Sequence, residues 1–226
     1  MIVAISEFLD AQALGECRDL MAQAEWTDAG DAPDLRSLAA DRAHRLPDGS
    51  LAAERIGRIV ADALGRSDLF IAAALPAQIL PPAIVSHGPG PAVGPFVDDY
   101  RKVGALGDLR IRGDLSAVVF LSDPADYDGG DLVVEDTYGP HAMKRAAGDL
   151  VIFSAASLIR IDAITRGERR TAVFAVQSTI RDSEARSLLF DLDSAVQALP
   201  DDAATYAEIT RLTGIYHNLM RRWAEA

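Results

Sequence analysis

The sequence predicts a mainly β protein with flanking helices, an α+β class, and three observations support this. Between residues 69 and 181, short apolar runs alternate with Gly, Pro and Asp, as strands and turns do. No helical periodicity separates these runs, which favours antiparallel strands in a sandwich or barrel over a doubly wound parallel sheet. Both ends of the chain instead carry apolar residues at helical spacing. We therefore expect a central sheet region with helices before and after it.

The N-terminal region is predicted to contain one short strand followed by two helices. Residues 2–5 are apolar and form the strand, and Asp10 can cap the first helix. The second helix is expected to follow Ser50 and to end at Gly65. The apolar faces of the two helices consist of Leu14, Cys17 and Met21, and of Leu51, Ile56, Ile59, Val60 and Leu64.

A series of apolar segments predicts the strands of the central region. In chain order they are LFIAA, AQILPPAIVSH, LSAVVFLSD, DLVVEDTYG, DLVIFSA and TAVFAVQSTI. A small barrel of such strands offers a ligand a mouth lined by inward-pointing side chains. We therefore expect the functional residues on these strands.

The C-terminal region returns to helix after residue 181. Asp182 or Ser183 can cap a helix that Pro200 ends. A last helix carries apolar residues at alternating steps of three and four, which predicts that one face is buried against the sheet or against another chain. These residues are Ile209, Leu212, Tyr216, Leu219 and Trp223.

Composition and charge limit the classes of partner. The chain has 226 residues, of which 34 are acidic and 22 basic, for a formal charge of -12 and a pI near 4.7. Such a surface repels phosphate backbones and anionic lipids, so we expect no nucleic acid and no membrane partner. The single cysteine, Cys17, cannot form an internal disulfide, which fits a reducing compartment and a cytoplasmic location.

Three segments of the sheet region resemble a known family of enzymes. They are residues 88–102 (GPGPAVGPFVDDYRK), residues 123–161 with YDGGDLVVEDTYG, and residues 163–178 with TRGER. Together with LPDGS and the C-terminal LTGIYHNLMRRWAEA, they resemble the PKHD-type hydroxylases, bacterial members of the prolyl-hydroxylase-like dioxygenases. The resemblance implies a double-stranded β-helix (jelly roll) over residues 1–181, with N-terminal helices on the sheet, and a helical extension over residues 182–226. It also implies hydroxylation with Fe(II), 2-oxoglutarate and ascorbate.

The resemblance breaks down at the positions that hold the metal. The family binds iron with a His-x-Asp pair and a distant histidine, and the pair corresponds here to Phe96 and Asp98. The distant histidine corresponds to Ile159, ten residues before Arg169, the residue that receives the far carboxylate of 2-oxoglutarate. A tyrosine that can help to bind this cosubstrate corresponds to His87.

These departures predict a degenerate family member that lacks both metal-binding histidines. A phenyl ring and a branched alkyl chain have no lone pair, so of the three positions only Asp98 can coordinate. We therefore expect no metal, no cofactor and no hydroxylation, but a pseudoenzyme that acts as a small-carboxylate binder or a protein partner. Arg169 and His87 are the candidate binding residues. The last helix is compatible with a homodimer, or with a mixed dimer containing an active relative.

Two alternatives stay open at the level of sequence. In the first, the chain is an active 2-oxoglutarate-dependent oxygenase or another enzyme, with an unorthodox metal centre of Asp98, His87 and Asp99. The second concerns Arg169, because an inward arginine must be paired. Either it meets the carboxylate of a small molecule, or a protein acid such as Asp98 neutralises it.

Overall fold

The described part of the chain contains five helices, three in its N-terminal third and two at its C-terminal end. The computed structural model describes residues 1–28, 43–103, 110–200 and 202–225. The helices are α1 (Ala11–Gln23), α2 (Leu51–Arg66), α3 (Asp68–Ala74), α4 (Ser183–Gln197) and α5 (Tyr206–Trp223).

The larger sheet has eight strands. They are β1 (Ile2–Ile5), β2 (Thr27–Asp28), β3 (Ala43–Arg45), β4 (Pro76–Ile79), β5 (Ala83–His87), β9 (Leu115–Phe120), β13 (Leu150–Ser154) and β16 (Arg169–Ser178). Their order is β1-β13-β9-β16-β5-β3-β2, and β4 also pairs with β16. The long strand β16 thus lies at the centre of this sheet and carries Arg169 at its start.

A second sheet and two strand pairs complete the β structure. The second sheet contains β6 (Val93–Val97), β11 (Leu132–Asp136), β12 (Gly139–Met143) and β14 (Leu158–Ile161), in the order β12-β11-β14-β6. The pairs are β7 (Arg101–Val103) with β8 (Arg110–Arg112), and β10 (Tyr127–Gly129) with β15 (Ile164–Gly167). The ladders of the described strands are antiparallel, which confirms the predicted mainly β class.

An apolar cluster, here called the interior cluster, draws on both sheets. Alternate residues of each strand point to one face, so one set from the larger sheet meets one set from the second sheet. The cluster contains Ala43, Val85, Val118, Phe120, Leu132, Val134, Val151, Phe153, Ile159, Ile161 and Val173. The predicted site residues lie on strands that contribute to this cluster.

The opposite face of the larger sheet packs against the N-terminal helices. Ala117, Val119 and Phe174 of the sheet share one apolar cluster with Cys17 of α1 and Ile56 of α2. The predicted caps are confirmed, because Asp10 accepts a hydrogen bond from the backbone of Ala13 at 2.8 Å and Asp182 caps α4 in the same way.

One predicted strand is wrong. The segment LFIAA forms most of helix α3, which places Phe70, Ala73 and Ala74 in the core at helical spacing. Ser67 caps this helix by accepting a hydrogen bond from the backbone of Phe70 at 3.2 Å. Its alanines favour helix, and the neighbouring end of α2 extends to Arg66 rather than to Gly65. The periodicity of such a short apolar run does not distinguish a strand from a buried helix.

The C-terminal helices form a separate small core. Ile180, Ala185 and Leu189 are buried together, and Tyr216 and Trp223 of α5 pack against them. A domain boundary near residue 181 stays a prediction. Within the described ranges, no helix combines the length and apolarity needed to cross a lipid bilayer. The cytoplasmic location also stays a prediction.

Cys17 is expected to be unreactive in the folded protein. Its side chain is inaccessible to solvent, and burial together with Glu16 raises the pKa of the thiol from 9.0 to about 11. Because the thiolate is the nucleophile, only about one thiol in a thousand is ionised at pH 8. Reaction with a chromogenic disulfide reagent should therefore be slow in native buffer and fast in guanidinium chloride. Equally fast reaction in the two solutions would contradict this burial.

Candidate functional site

The two positions that correspond to metal-binding histidines lie directly opposite each other. Strands β6 and β14 are antiparallel neighbours, and their register pairs Phe96 with Ile159. Ile159 is only 1% exposed and belongs to the interior cluster, against which the partly buried Phe96 packs. Apolar contact between β6 and β14 therefore occupies the two positions that are predicted from the sequence to correspond to the family's metal-binding histidines.

Asp98, the one residue of the three that can coordinate a metal, forms a hydrogen bond within the protein. Its carboxylate is buried and accepts a hydrogen bond from the hydroxyl of Ser116 on β9. Among the described residues no ion pair joins Asp98 to Arg169. The expected alternative in which Asp98 neutralises Arg169 is therefore not the arrangement that the chain adopts.

Replacing Ser116 by alanine is expected to destabilise the fold by about 1.5–3 kcal/mol, because a buried carboxylate loses a charge-assisted hydrogen bond. The free energy of unfolding in urea measures this change. In the background of Asp98→Asn, the same Ser116→Ala substitution should cost clearly less, because the acceptor is then uncharged. An equal cost in the two backgrounds would show that Ser116 does not act through Asp98.

Arg169 is a buried cation with unsatisfied donors. Its side chain is 1% exposed, and one terminal nitrogen, Nη1, donates to the Thr171 hydroxyl at 3.4 Å. The other two, Nε and Nη2, are buried and make no hydrogen bond. The guanidinium carbon lies 5.4 Å from the ring centre of Phe120. Burial lowers the pKa of Arg169 below its ordinary range, yet an arginine keeps its charge at neutral pH.

Tyr127 is a site residue that the sequence analysis missed. Its side chain is inaccessible to solvent, and its hydroxyl has no hydrogen-bond partner. Burial raises the pKa of Tyr127, and the nearby Arg169 guanidinium acts in the opposite direction. Lys144 contacts Tyr127 in two ways. Its ammonium donates a hydrogen bond to the Tyr127 carbonyl at 2.7 Å and lies 4.2 Å from the centre of the tyrosine ring. The one available signal was the position of Tyr127 in the motif YDGGD.

Glycines in the two recognised motifs allow Tyr127 and Arg169 to approach. Tyr127 is paired with Gly167 across β10 and β15, two residues before Arg169. Gly167 has a φ of +77°, and a Cβ there would lie 1.9 Å from the carbonyl oxygen of Asp126. Gly130 has a φ of +69°, and its Cβ would lie 3.1 Å from the Tyr127 ring. The motifs YDGGD and TRGER thus require glycine for steric reasons.

His87 lies next to Arg169, and the other described histidines lie on β3, β12 and α5. The register of β5 and β16 pairs His87 with Arg169, and His87 is 5% exposed. His44 contacts Asp28 at 3.2 Å, His141 contacts Asp136 at 3.1 Å, and His217 is exposed on α5. Asp99 is exposed whereas Asp98 is buried. Among the described residues, no three His, Cys, Asp or Glu side chains are grouped so that they could hold a metal ion.

Two cavities are relevant here. A small one lies beside His87, and a large one lies among the N-terminal helices. The small one, of about 20 Å³, is lined by His87, Val93, Ile161 and Ile164 with neighbouring loop residues. The large one, of about 860 Å³, is mainly apolar and lies among α2, α3 and β4. None of the site residues predicted from the sequence lines the large cavity.

Solved structures with a similar fold come from the 2-oxoglutarate oxygenases. A prolyl-4-hydroxylase from Pseudomonas putida is 21% identical, with a TM-score of 0.51 over 78% of this chain and 92% of that one. HygX from Streptomyces hygroscopicus, solved with nickel and 2-oxoglutarate bound, gives 14% identity and a TM-score of 0.54 over 79% and 83%. A prolyl hydroxylase from Trichoplax adhaerens gives 12% and 0.55 over 83% and 86%. The predicted jelly roll is thereby confirmed.

The sequence itself matches curated proteins along its whole length. A PKHD-type hydroxylase of Rhizorhabdus wittichii is 46% identical over 227 residues, with 100% of each chain covered. One from Burkholderia thailandensis is 44% identical with the same coverage. Residues 183–225, which contain all of α4 and α5, match the family model of the PKHD-type hydroxylase C-terminal domain. Given these matches and the jelly roll, the chain belongs to the PKHD-type hydroxylase family.

Proposed function

We propose that this chain retains the fold of its family but does not form the family's iron centre. The residues at the three ligand positions do not fit the metal, because Phe96 and Ile159 have no atom that can donate a lone pair. The remaining carboxylate of Asp98 already accepts a hydrogen bond from Ser116. One carboxylate with water holds Fe(II) little better than solvent does. On this proposal the chain does not hydroxylate.

We further propose that the retained site binds a small carboxylate. The observation that carries this proposal is the buried guanidinium of Arg169, whose Nε and Nη2 have no partner. Burial disfavours the charge of Arg169 and lowers its pKa, and Tyr127 and Asp131 offset this effect only in part. A planar carboxylate can accept from two guanidinium nitrogens at once. The Tyr127 hydroxyl adds a further donor beside the guanidinium. An anion would thus satisfy donors that the protein leaves unsatisfied.

The surroundings of Arg169 favour a compact ligand. Both unsatisfied nitrogens are closed off from solvent, so neighbouring side chains must move before a ligand reaches them. The cavity beside His87 holds about 20 Å³, which is room for about one water molecule.

Calorimetric titration in the presence of a chelator tests carboxylate binding without metal. Acetate, glutarate and 2-oxoglutarate are the probes, and Arg170→Met is the control for a general change in charge. Arg170 lies on the same strand but is partly exposed and pairs with Glu168 at 2.6 Å. We expect saturable binding to the native chain and to the Arg170 variant. If none of these anions binds, the proposal of a carboxylate site is wrong.

We also propose a protein-partner role through the C-terminal helices. Leu188 of α4 and Tyr206 and Ile215 of α5 are exposed, at 59%, 67% and 45% respectively. Large apolar side chains on neighbouring helices favour association with a second chain. Light scattering after gel filtration, alone and after co-expression with an active relative, distinguishes a homodimer from a mixed dimer. A monomer under both conditions would contradict this role.

A further inference from the structure

The large apolar cavity lies between the N-terminal helices and the C-terminal helical region. Its walls come mainly from α2, α3 and β4, and Met220 of α5 contributes to the lining. Phe70 of α3 and Phe174 of β16, both buried, supply aromatic surface. The volume of about 860 Å³ falls within the range of pockets that hold small organic ligands, roughly 300–1,000 Å³.

Small residues along α2 leave this space open. They recur at every fourth position, which places them on one face of the helix, and they are Ala53, Gly57, Ala61 and Gly65. A Cβ at Gly65 would meet no atom within 4 Å, and a Cβ at Gly57 would make only an ordinary contact with Pro82 at 3.6 Å. Close packing therefore requires neither glycine, and neither has a positive φ. Because glycine destabilises a helix interior relative to alanine, the two glycines keep the cavity wide at the expense of helix stability.

Two opposite charges lie at the mouth of the cavity. Glu54 and Arg58 line it from successive turns of α2, both side chains are exposed, and their carboxylate and guanidinium are 3.7 Å apart. A charged head group placed here would meet one charge of its own sign. An uncharged group that both donates and accepts can instead bond to both side chains. The formal charge of -12 on the chain further opposes an anion.

From this lining we infer that the large cavity binds an uncharged single-chain amphiphile, such as a medium-chain alcohol or amide. The alkyl chain packs against the aromatic and aliphatic walls, which offer water few hydrogen-bond partners. The head group contacts Glu54 and Arg58. Strand β16 contributes Phe174 to this cavity, whereas Arg169 of the same strand contacts Phe120 in the interior cluster. The amphiphile site is therefore distinct from the proposed carboxylate site and does not require it.

Three ligands with the same alkyl chain test the head group. Decanol, decanoate and decylammonium are titrated against the native chain with bound Nile red, a neutral dye whose fluorescence falls when it is displaced from an apolar site. We expect decanol to bind at least about fivefold more tightly than either ion. From hexanol to decanol, each added methylene should tighten binding about two- to fourfold.

A single charge at the mouth should control the discrimination against decanoate. Glu54→Gln removes the repulsion and is expected to tighten decanoate binding about two- to fivefold while leaving decanol binding unchanged. Asp62→Asn is the matched control, because Asp62 is exposed on the same helix and does not line the cavity. It makes the same change in net charge and should alter neither affinity.

Two matched pairs of variants locate the alkyl chain. Ile71 and Leu69 are both 42% exposed on α3, but of the two only Ile71 lines the cavity. Ile71→Asp should weaken decanol binding at least about tenfold, because a carboxylate then faces the alkyl chain, and Leu69→Asp should not. Gly57→Leu should weaken it by filling space, whereas Gly15→Leu on α1, also at a helical glycine, should not. Gly57→Ala should keep most of the binding, which guards against loss through misfolding.

The pattern of affinities decides the inference. Decanol binding that Ile71→Asp and Gly57→Leu weaken, and that Leu69→Asp and Gly15→Leu preserve, supports it. No saturable displacement by any alcohol, or decanoate binding as tightly as decanol to the native chain, would overturn it. Equal weakening by Ile71→Asp and Leu69→Asp would also overturn it, because binding would then lie elsewhere. A native dimer that Gly57→Leu converts to a monomer, without alcohol binding, would show that a second copy covers this cavity instead.

Discussion

Replacing Phe96 and Ile159 together by histidine is expected to create a divalent-metal site, whereas the described residues of the native chain include no group of three His, Cys, Asp or Glu side chains that could hold a metal ion. The two positions face each other across β6 and β14, and Asp98 directly follows β6. The double variant therefore brings two imidazoles and one carboxylate together. This is the facial set that binds Fe(II) in non-haem oxygenases. Removing a residue that only hydrogen-bonds to a metal ligand already weakens metal binding about 10- to 100-fold. Two added ligands, which contact the metal directly, should therefore tighten Mn(II) binding by more than about 100-fold.

The control for the histidine variant uses the alternation of side chains along a strand. Val97→His with Ile159→His introduces the same number of histidines, but residue 97 points away from residues 96 and 98. Val97 is 50% exposed, so the control also tolerates a polar side chain. Electron paramagnetic resonance of free Mn(II) measures binding in both variants. Equal binding by the two, or by neither, would contradict the assignment of Phe96 and Ile159 to the ligand positions.

Replacing Arg169 by methionine is expected to abolish carboxylate binding and to stabilise the ligand-free protein. Methionine fills a similar volume without charge, and Arg169 forms no ion pair with the residues that the structure describes, so its removal leaves no buried charge that it had paired. Replacement of buried ionic groups by apolar residues is often neutral or stabilising by up to about 4 kcal/mol. The ligand, in contrast, loses a buried charged partner, which weakens binding by at least about 30-fold. Urea unfolding without ligand measures the first effect, and calorimetry with acetate measures the second.

The matched control for this variant is Arg170→Met on the same strand. Arg170 is partly exposed and bound to Glu168, so its replacement should change the stability by less than about 1 kcal/mol and leave binding intact. A ligand-free Arg169→Met protein that is less stable than the native chain would show that the guanidinium is compensated within the fold. In that case, the argument for a ligand from its unsatisfied nitrogens would fail.

The fold could be predicted from the sequence where local signals were strong. Asp10 and Asp182 cap their helices as predicted, and α2, with its predicted apolar stripe, begins directly after Ser50. The segment LFIAA failed because a run of five apolar residues has no period that separates a strand from a buried helix. Its helical state depends on the Ser67 cap and on the packing of Phe70 against the core, and the second of these is a tertiary effect.

The site could be predicted only in part. Aligning two motifs located Phe96, Asp98, Ile159 and Arg169, and the first and third of these do meet across the sheet. The role of Tyr127 depends on the register between β10 and β15. This register pairs residues about forty positions apart, so no pattern close to Tyr127 in the sequence indicates it. The partner of Asp98 is likewise a serine on a different strand, and nothing near Asp98 in the sequence indicates it.

Metal analysis of the native chain tests the central proposal most directly. The protein is incubated with Fe(II) under anaerobic conditions, separated from free metal by gel filtration, and its iron is measured by mass spectrometry beside the Phe96→His/Ile159→His variant. The account predicts near-stoichiometric iron in the variant and only traces in the native chain. Near-stoichiometric iron in the native chain, lost on Asp98→Ala, would contradict it.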